Sequence, residues 1–177
     1  MYMTRLAVPD DAKYLPAVEL SAGQTFANHE KYRWVAEGEG QTEQEHLAFI
    51  HQQLEWVAVN NDGEVVGFIN AEKRRNSLHI CELSVCQNWQ GQGIGRQLIK
   101  RVFEATLSLQ LQFVTLTTFR DVPWNAPYYQ RLGFDIIDND KLTIELKAIL
   151  QSEVDMGFAR EDRCAMVISL NELAPVA

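Results

Sequence analysis

Three glycines within five positions mark the stretch with the clearest chemical meaning. Gly91, Gly93 and Gly95 stand in QNWQGQGIGRQL (87–98), where a strand-like run gives way to a helix-like run. Free N–H groups at a helix start, together with the helix dipole, favour an anion, and glycine lets that anion approach the backbone closely. The pattern predicts an anion site, with a tight strand-to-helix turn that binds nothing as the alternative.

The same stretch lacks the features of two common phosphate-binding loops. No Lys-Ser or Lys-Thr pair follows the glycines, as a Walker loop requires, and the third glycine of a GxGxxG motif would fall at Leu98. The segments before it are predicted to form an antiparallel meander, whereas a dinucleotide-binding fold starts with a βαβ unit. Both readings are therefore disfavoured.

A carboxylate stands in the middle of a largely apolar strand just before the glycines. Side chains in SLHICELSV (77–85) alternate between two faces, and Glu82 shares its face with Ile80 and Ser84. Burying an unpaired carboxylate is costly, so Glu82 is predicted to face a cleft or to find a partner. It could act as a general base, or it could be an inert member of a salt bridge.

Strand-type and helix-type patterns alternate along the chain and position these residues. Asp62-Gly63 indicates a hairpin, and Thr42 with Glu45 has the spacing of a capping box. Residues 21–41 show no clear period and are predicted to be a long loop or a loop with a short helix. The predicted strands are 4–8, 55–59, 64–73, 77–85, 112–119, 134–137 and 164–170, and the predicted helices are about 10–20, 42–54, 93–108, 124–133 and 140–158. Pro16 is expected to make the first of these helices begin late or kink.

Two motifs make the chain resemble the GCN5-related N-acetyltransferases. Gln90–Gly95 matches the Q/R-x-x-G-x-G/A signature of that family, directly after a strand that ends in LSV (83–85). Downstream, NAPYYQRLGF (125–134) is similar to the family's second motif, and the order of elements over residues 1–137 is similar as well. The resemblance is weakest at 21–41 and in the extra helix at 140–158.

The resemblance implies an α/β fold of the acyl-CoA N-acyltransferase type. A mixed, mostly antiparallel sheet would be flanked by helices, and its parallel strands would splay apart at the cofactor site. One N-acetyltransferase domain would cover residues 1–177, with the helix and strand at 140–170 as part of it.

The resemblance also implies acetyl-CoA as the co-substrate, bound to the glycine loop and to the strand before it. Backbone N–H groups of the loop would hold the pyrophosphate, and the pantetheine arm would pair with main-chain groups of the strand. Arg96 would assist at a phosphate or would be a solvated surface residue, and Asn125 would contact the pantetheine amide, cap the short helix, or do both. The implied cofactor-binding residues are Leu83, Ser84, Val85, Gln90, Gly91, Gln92, Gly93, Ile94, Gly95, Arg96 and Asn125.

Acetyl transfer to an amine requires a neutral amine and benefits from a proton on the departing thiolate. The resemblance implies Glu82 as the general base, acting through water, and Tyr129 as the general acid. Core packing is the alternative role for Tyr129 and for the adjacent Tyr128. An enzyme needs both catalytic groups, whereas a non-catalytic acyl-CoA-binding module, the rival hypothesis, needs only the glycine loop.

In this family the stretch equivalent to residues 21–41 builds the wall of the acceptor site. Its aromatic and acidic residues, which include Phe26, Tyr32, Trp34 and Glu30, favour a cationic primary amine, either a small amine or an amino-acid-like metabolite. Acetylation of a protein lysine or N-terminus is the alternative.

Composition and charge argue against nucleic-acid and membrane partners. A formal net charge of -8 and the absence of a basic stripe argue against a nucleic-acid partner. No apolar run approaches the roughly 20 residues of a membrane span, and the N-terminal MYMTRLAVPDD lacks the apolar core of a signal peptide. We therefore expect a cytoplasmic protein without a membrane partner, and a homodimer is left open.

The cysteines and histidines indicate neither disulfides nor a metal site. Cys81, Cys86 and Cys164 form no CxxC pair and are read as reduced thiols. His46 and His51 are five positions apart, which does not place both on one helix face, and no HExxH motif occurs. We expect no metal.

Overall fold

Seven β-strands carry the architecture in the computed structural model, which describes residues 1–171. Strand-type alternation and β-branched residues in these segments suit a pleated, half-buried surface. The strands are β1 (Tyr2–Leu6), β2 (Glu55–Asn60), β3 (Val65–Lys73), β4 (Ser77–Val85), β5 (Phe113–Phe119), β6 (Asp135–Ile136) and β7 (Arg163–Ser169).

Within residues 1–171, five α-helices and six short 3-10 turns connect the strands. The helices are α1 (Leu15–Gly23), α2 (Glu43–His51), α3 (Ile94–Ser108), α4 (Ala126–Arg131) and α5 (Ile144–Asp155). The 3-10 turns are Pro9–Tyr14, Gln24–Phe26, Arg33–Glu37, Gln87–Trp89, Asn139–Lys141 and Arg160–Asp162.

The sheet is mixed, with the strand order β1-β2-β3-β4-β5-β7-β6. The pairs β1–β2, β2–β3, β5–β7 and β6–β7 are antiparallel. Strand β4 pairs with β5 in parallel, with Ser77 opposite Phe113 and His79 opposite Thr115. The predicted α/β fold with a mixed, mostly antiparallel sheet is therefore confirmed, whereas splaying of the parallel strands at a cofactor site stays a prediction.

The chain divides into two compact units, and β4 contributes residues to each of them. The first unit comprises residues 1–72 and 81–104, and the second comprises residues 73–80 and those from 105 onward. The single domain predicted over residues 1–177 stays a prediction, and its last six positions, 172–177, lie outside the described residues.

Each unit has its own apolar packing. In the first unit, α1 and α2 pack on one face of β2 and β3, and in the second, α5 packs on β7. The first cluster consists of Ala7, Ala12, Leu15, Val18, Ile50, Val57, Val59 and Phe68, and the second contains Leu142, Leu146, Leu150 and Ala165.

Local capping explains where two helices begin. The Thr42 amide donates to Glu45 Oε2 at 2.7 Å and the Glu45 amide donates to Thr42 Oγ1 at 3.3 Å, so the predicted capping box is present. Helix α5 starts at Ile144 and not at residue 140, because the Thr143 hydroxyl caps it by accepting the Leu146 amide at 3.2 Å.

The predicted helix at 10–20 is α1, and its late start agrees with the expectation that Pro16 would delay or kink it. The Asp11 carboxylate accepts hydrogen bonds from Arg5 at 2.7 Å and from the Val8 amide at 2.8 Å. These contacts accompany a 3-10 turn over the predicted first helical turn, so that Pro16 falls in the first turn of α1, where proline is tolerated. Strand β1 likewise lies earlier than its predicted position at 4–8.

Candidate functional site

The glycine loop joins β4 to α3 within the first unit. Gly91 has φ +75° and Gly93 has φ +81°, a region that side-chain-bearing residues rarely adopt. A Cβ atom at Gly91 would meet nothing within 4 Å, and one at Gly93 would meet only the Tyr2 hydroxyl at 3.7 Å. The two glycines thus combine left-handed backbone with open space beside it, so an anion can approach the main chain.

The start of α3 adds positive charge to this loop. The Gln97 amide donates to the Gly93 carbonyl oxygen at 3.2 Å, so regular helical bonding begins directly after the loop. Arg96 is exposed, and among residues 1–171 no group forms a hydrogen bond or ion pair with its guanidinium. An uncommitted cation and the positive end of a 15-residue helix therefore lie together.

Gln90 ties the loop to two other segments. Its Nε2 atom donates to the Val85 carbonyl oxygen at 3.0 Å, and its Oε1 atom accepts from the Thr25 hydroxyl at 3.2 Å. One amide side chain therefore links the end of β4 to the segment that follows α1. The main-chain carbonyl of Val85, a predicted cofactor contact, already has one donor.

Two further contacts hold the loop from positions far away in the sequence. The Tyr2 hydroxyl donates to the Gln92 carbonyl oxygen at 3.4 Å, and the Gln87 amide donates to the Ser21 hydroxyl oxygen at 3.1 Å. Sequence reasoning missed Tyr2, Ser21 and Thr25, and no local signal could have revealed them because their partners are 65 to 90 residues away.

Close packing at Gly67 fixes the end of β4 against the start of α3. A Cβ atom at Gly67 would lie 3.1 Å from the Ser84 carbonyl oxygen, 3.2 Å from Ile94 Cγ2 and 3.4 Å from Val85 Cγ2. Any larger residue would push these groups apart. This glycine of β3 therefore helps to position both the strand end and the buried first residue of the helix.

Glu82 is half-buried on β4, on the same face as Ser84. The Ser84 hydroxyl, which is buried, donates to Glu82 Oε1 at 2.9 Å. A hydrogen bond from a hydroxyl favours the ionised form of a carboxylate. Ser84, expected to act only through its main chain, thus also orients the carboxylate.

The second motif lies in the second unit, around α4. Asn125 precedes α4 at the capping position, but its side chain makes no capping hydrogen bond, and its Oδ1 atom is buried without a hydrogen-bond partner. A buried polar atom without a partner is costly, so a ligand donor would satisfy it.

Tyr129 is a buried residue of α4. Its ring centroid lies 5.7 Å from that of Phe134 and 5.4 Å from that of Tyr128, both in edge-on geometry. The Phe134 amide donates to the Tyr129 carbonyl oxygen, and Gly133 ends the turn with φ +99°, as the sequence predicted for a helix C-terminus. These contacts fix the aromatic ring.

The predicted acceptor segment, 21–41, is a loop with short helical pieces, which is the second of the two predicted alternatives. Helix α1 extends into it, and two 3-10 turns follow. His29 Nδ1 accepts the Tyr32 amide at 3.2 Å, and the two rings stack at 4.7 Å. The Glu19 carboxylate accepts the Gln41 amide at 2.8 Å, and burial raises the pKa of Glu19.

Two classes of feature are not found in the part of the chain that the structure describes. Residues 1–171 contain no cluster of three or more His, Cys, Asp or Glu side chains that could hold a metal ion. Within the same residues, no helix has both the length and the apolar character needed to cross a membrane.

A mixed sheet flanked by helices, with a glycine-rich loop between β4 and α3, matches the acyl-CoA N-acyltransferase type of fold. The chain belongs to the acetyltransferase (GNAT) family, whose model matches residues 22–134. Its members are acetyl-CoA-dependent acyltransferases, so the predicted family and enzyme class are confirmed.

Solved structures share this fold at low sequence identity. The PaiA N-acetyltransferase of Thermoplasma acidophilum, in complex with coenzyme A, is 18% identical with a TM-score of 0.70, covering 96% of this chain and 99% of that one. The ribosomal-protein-S18-alanine N-acetyltransferase of Escherichia coli is 17% identical with a TM-score of 0.64, covering 96% and 94%.

The N-acetylglutamate synthase of Neisseria gonorrhoeae, in complex with coenzyme A and N-acetyl-glutamate, is 13% identical with a TM-score of 0.70. The match covers 96% of this chain and 35% of that one. One of these neighbours is named for a ribosomal-protein acceptor and another for an acetylated amino acid. The shared fold therefore does not define the acceptor of this chain.

Proposed function

We propose that this protein transfers an acetyl group from acetyl-CoA to the primary amine of a small cationic or amino-acid-like metabolite. The observation that carries the proposal is the open, left-handed backbone at Gly91 and Gly93 beside the start of α3. Such a loop can present N–H groups to a pyrophosphate without a side chain in the way.

The residues of the loop fit the phosphates of acetyl-CoA. Gln90–Gly95 would supply the N–H groups, and the uncommitted guanidinium of Arg96 would pair with a phosphate. Main-chain groups of Leu83–Val85 would pair with the pantetheine arm. The buried Asn125 Oδ1 atom, which lacks a partner, would accept from an amide N–H of that arm.

When bound, acetyl-CoA supplies the thioester whose carbonyl carbon the amine attacks. Glu82 removes a proton, through water, from the acceptor's ammonium nitrogen, and the Ser84 hydroxyl holds Glu82 Oε1 in place for that role. The Tyr129 hydroxyl gives a proton to the departing sulfur. The edge contact with Phe134 keeps the Tyr129 ring from rotating freely.

Exposed acidic residues favour a cationic acceptor. Glu30, Glu37 and Glu39 are exposed on the segment 21–41, and Trp34 on the same segment is 42% exposed. Carboxylates attract an ammonium group, and an exposed indole ring can stack on a cation. A protein lysine or N-terminus offers the same ammonium chemistry, so a protein acceptor is the alternative.

The test is a calorimetric titration with acetyl-CoA, followed by an amine library assayed for released CoA thiol. Binding of acetyl-CoA and thiol release with small amines would support the proposal. Thiol release only with peptides, through a lysine side chain or a free N-terminus, would favour the alternative in which the acceptor is a protein. Binding without release from any acceptor would support a non-catalytic acyl-CoA-binding module instead.

We further propose a cytoplasmic location, because Cys81, Cys86 and Cys164 form no disulfide within residues 1–171. Burial raises the pKa of Cys86 and of Cys164, which makes these thiols less reactive. A homodimer remains part of the proposal, and sedimentation velocity at several protein concentrations would test it.

A further inference from the structure

A cationic groove lies in the second unit, outside the glycine loop and the second motif. It is open to solvent, has a volume of about 640 Å³ and is lined by Arg120, Asn139, Leu142, Lys147, Arg160 and Glu161. That volume is within the range of small-molecule sites in proteins.

The topology of the second unit brings these cations together from separate elements. Phe119 of β5 pairs with Arg163 of β7, so Arg120 leaves the sheet beside the 3-10 turn that contains Arg160. The Arg120 amide donates to the Asp162 carbonyl oxygen at 2.8 Å, which fixes that approach. Lys147 enters from the first turns of α5.

The charge balance of the groove is opposite to that of the chain. The sequence has 16 Lys and Arg against 24 Asp and Glu, yet the groove is lined by three cations and only one carboxylate, Glu161. Among residues 1–171, the Arg120 and Lys147 side chains have no hydrogen-bond or ion-pair partner. Like charges that line one cavity repel each other, and a bound anion would offset that repulsion.

Arg160 is held in place as a fixed donor. Its Nη1 atom donates to the Arg163 carbonyl oxygen at 3.1 Å, and its Nη2 atom donates to Asn139 Oδ1 at 2.8 Å. A guanidinium has five N–H donors, so these two bonds leave others for a ligand. A pre-oriented guanidinium loses little entropy when it binds an anion.

We propose that this groove binds the carboxylate or phosphate group of a small organic anion. Arg160 provides planar, oriented donors, Arg120 and Lys147 provide uncommitted charge, and Leu142 provides an apolar wall for the body of the ligand. The proposal does not depend on acetyl transfer, since none of these residues belongs to the glycine loop or to the proposed catalytic pair.

The experiment is an NMR titration of the 15N-labelled protein at low ionic strength, with inorganic phosphate in one arm and succinate in the other. Saturable shifts of the amides around Arg120 and Glu161, in the millimolar range or tighter, are expected. The tighter arm identifies the preferred anion. Shifts of the Gly91 and Gly93 amides report anion binding at the glycine loop, separately from the groove. A negative result at the groove therefore leaves the proposed acetyl-CoA site untouched, and the reverse also holds.

Arg120→Gln is the diagnostic variant, because among residues 1–171 its side chain makes no hydrogen bond or ion pair that the change would remove. We expect it to weaken anion binding roughly tenfold, the usual effect of losing one charged hydrogen bond. Arg75→Gln removes the same charge from an exposed position away from the groove and should leave the affinity unchanged. Equal loss in both variants, or phosphate shifts confined to Gly91 and Gly93, would overturn the proposal.

Discussion

His46 Nδ1 lies 2.7 Å from Glu55 Oε1, and neither side chain is exposed to solvent. The pair joins α2 to β2, and Asn70 of β3 donates to the same Glu55 oxygen at 3.0 Å. Asn70 also donates to Gln41 Oε1 at 2.7 Å, so the network reaches the end of the predicted acceptor segment. The outer atoms of the pair, His46 Nε2 and Glu55 Oε2, are buried without a hydrogen-bond partner.

The buried pair should respond non-additively to mutation. We expect His46→Leu to lower the free energy of unfolding by about 3–5 kcal/mol, because the Glu55 carboxylate would remain buried without its His46 partner. His46→Leu with Glu55→Gln removes that charge as well, so the double variant should be more stable than the single one. Urea denaturation measures both, and additive losses would contradict this account.

An exposed ion pair serves as the control for that comparison. Lys141 and Asp138 lie 3.2 Å apart, with side chains that are 71% and 70% exposed. Exposed pairs contribute little to stability, so Asp138→Asn should leave the urea midpoint nearly unchanged.

The glycine loop predicts a loss of cofactor binding without a loss of fold. Gly93→Asp should abolish acetyl-CoA binding in calorimetry, because a carboxylate there would repel a pyrophosphate. Gly63→Asp is a matched control, since Gly63 has φ +83° in the β2–β3 turn and open space at its Cβ position. Both variants carry the same backbone strain, so weak binding by both would point to strain and not to charge.

Local signals made much of this fold predictable. The capping box at Thr42 and Glu45, the Asp62-Gly63 hairpin and the strand over Ser77–Val85 depend on residues close in sequence, and all three are present. The glycine loop was also found from its own composition.

Long-range contacts were not predictable in the same way. The His46–Glu55 pair combines a helix and a strand that the sequence placed correctly but could not orient toward each other. The groove at Arg120 and Arg160 depends on the β5–β7 register, which no local pattern encodes. Pro16 indicated a late start or a kink for the first helix, and α1 does begin late. Its first residue could not be predicted, because the Asp11 contacts involve residues of β1 and the turn after it.

The hydrogen bond from Ser84 to Glu82 predicts that the two residues act together in catalysis. Removing the donor with Ser84→Ala leaves Glu82 Oε1 without the hydroxyl that orients it, so kcat/KM should fall while the affinity for acetyl-CoA is unchanged. Glu82→Gln should abolish the low-pH limb of the kcat/KM profile and lower kcat/KM. If the limb persists in Glu82→Gln, another group or the amine itself titrates there, and Glu82 is not the base.

Because His79 is buried, we expect the free energy of unfolding to depend on pH. Burial, followed by repulsion from Arg74, lowers the pKa of His79 to about 4, although Glu153 opposes this shift. The ring forms a hydrogen bond of 2.9 Å with the Thr115 hydroxyl. The unfolded chain, with a pKa near 6.5, binds a proton more readily than the folded chain does. The contribution of neutral His79 to the free energy of unfolding is therefore complete above pH 6.5 and is lost as the pH falls toward 4.

The size of that loss is about 3 kcal/mol, from the difference between the folded and unfolded pKa values. Urea denaturation between pH 7 and pH 4 measures it, and His79→Gln should flatten the curve in this window. His51→Gln, at an exposed position of α2, should leave the slope unchanged. Equal slopes in the wild type and in His79→Gln would rule out His79 as the origin.

Tyr129 predicts a catalytic defect without a structural one. Tyr129→Phe removes only the hydroxyl, and the ring contact with Phe134 that fixes α4 remains. If the phenol donates a proton to the departing sulfur, kcat should fall by roughly 10²–10⁴-fold, the usual scale for a general acid, with acetyl-CoA affinity unchanged. Tyr128→Phe removes the neighbouring hydroxyl and should leave kcat within about twofold of the wild type. Rapid-quench measurement of the acetyl-transfer step decides the matter, because an unchanged rate in Tyr129→Phe would leave this tyrosine a packing residue of α4.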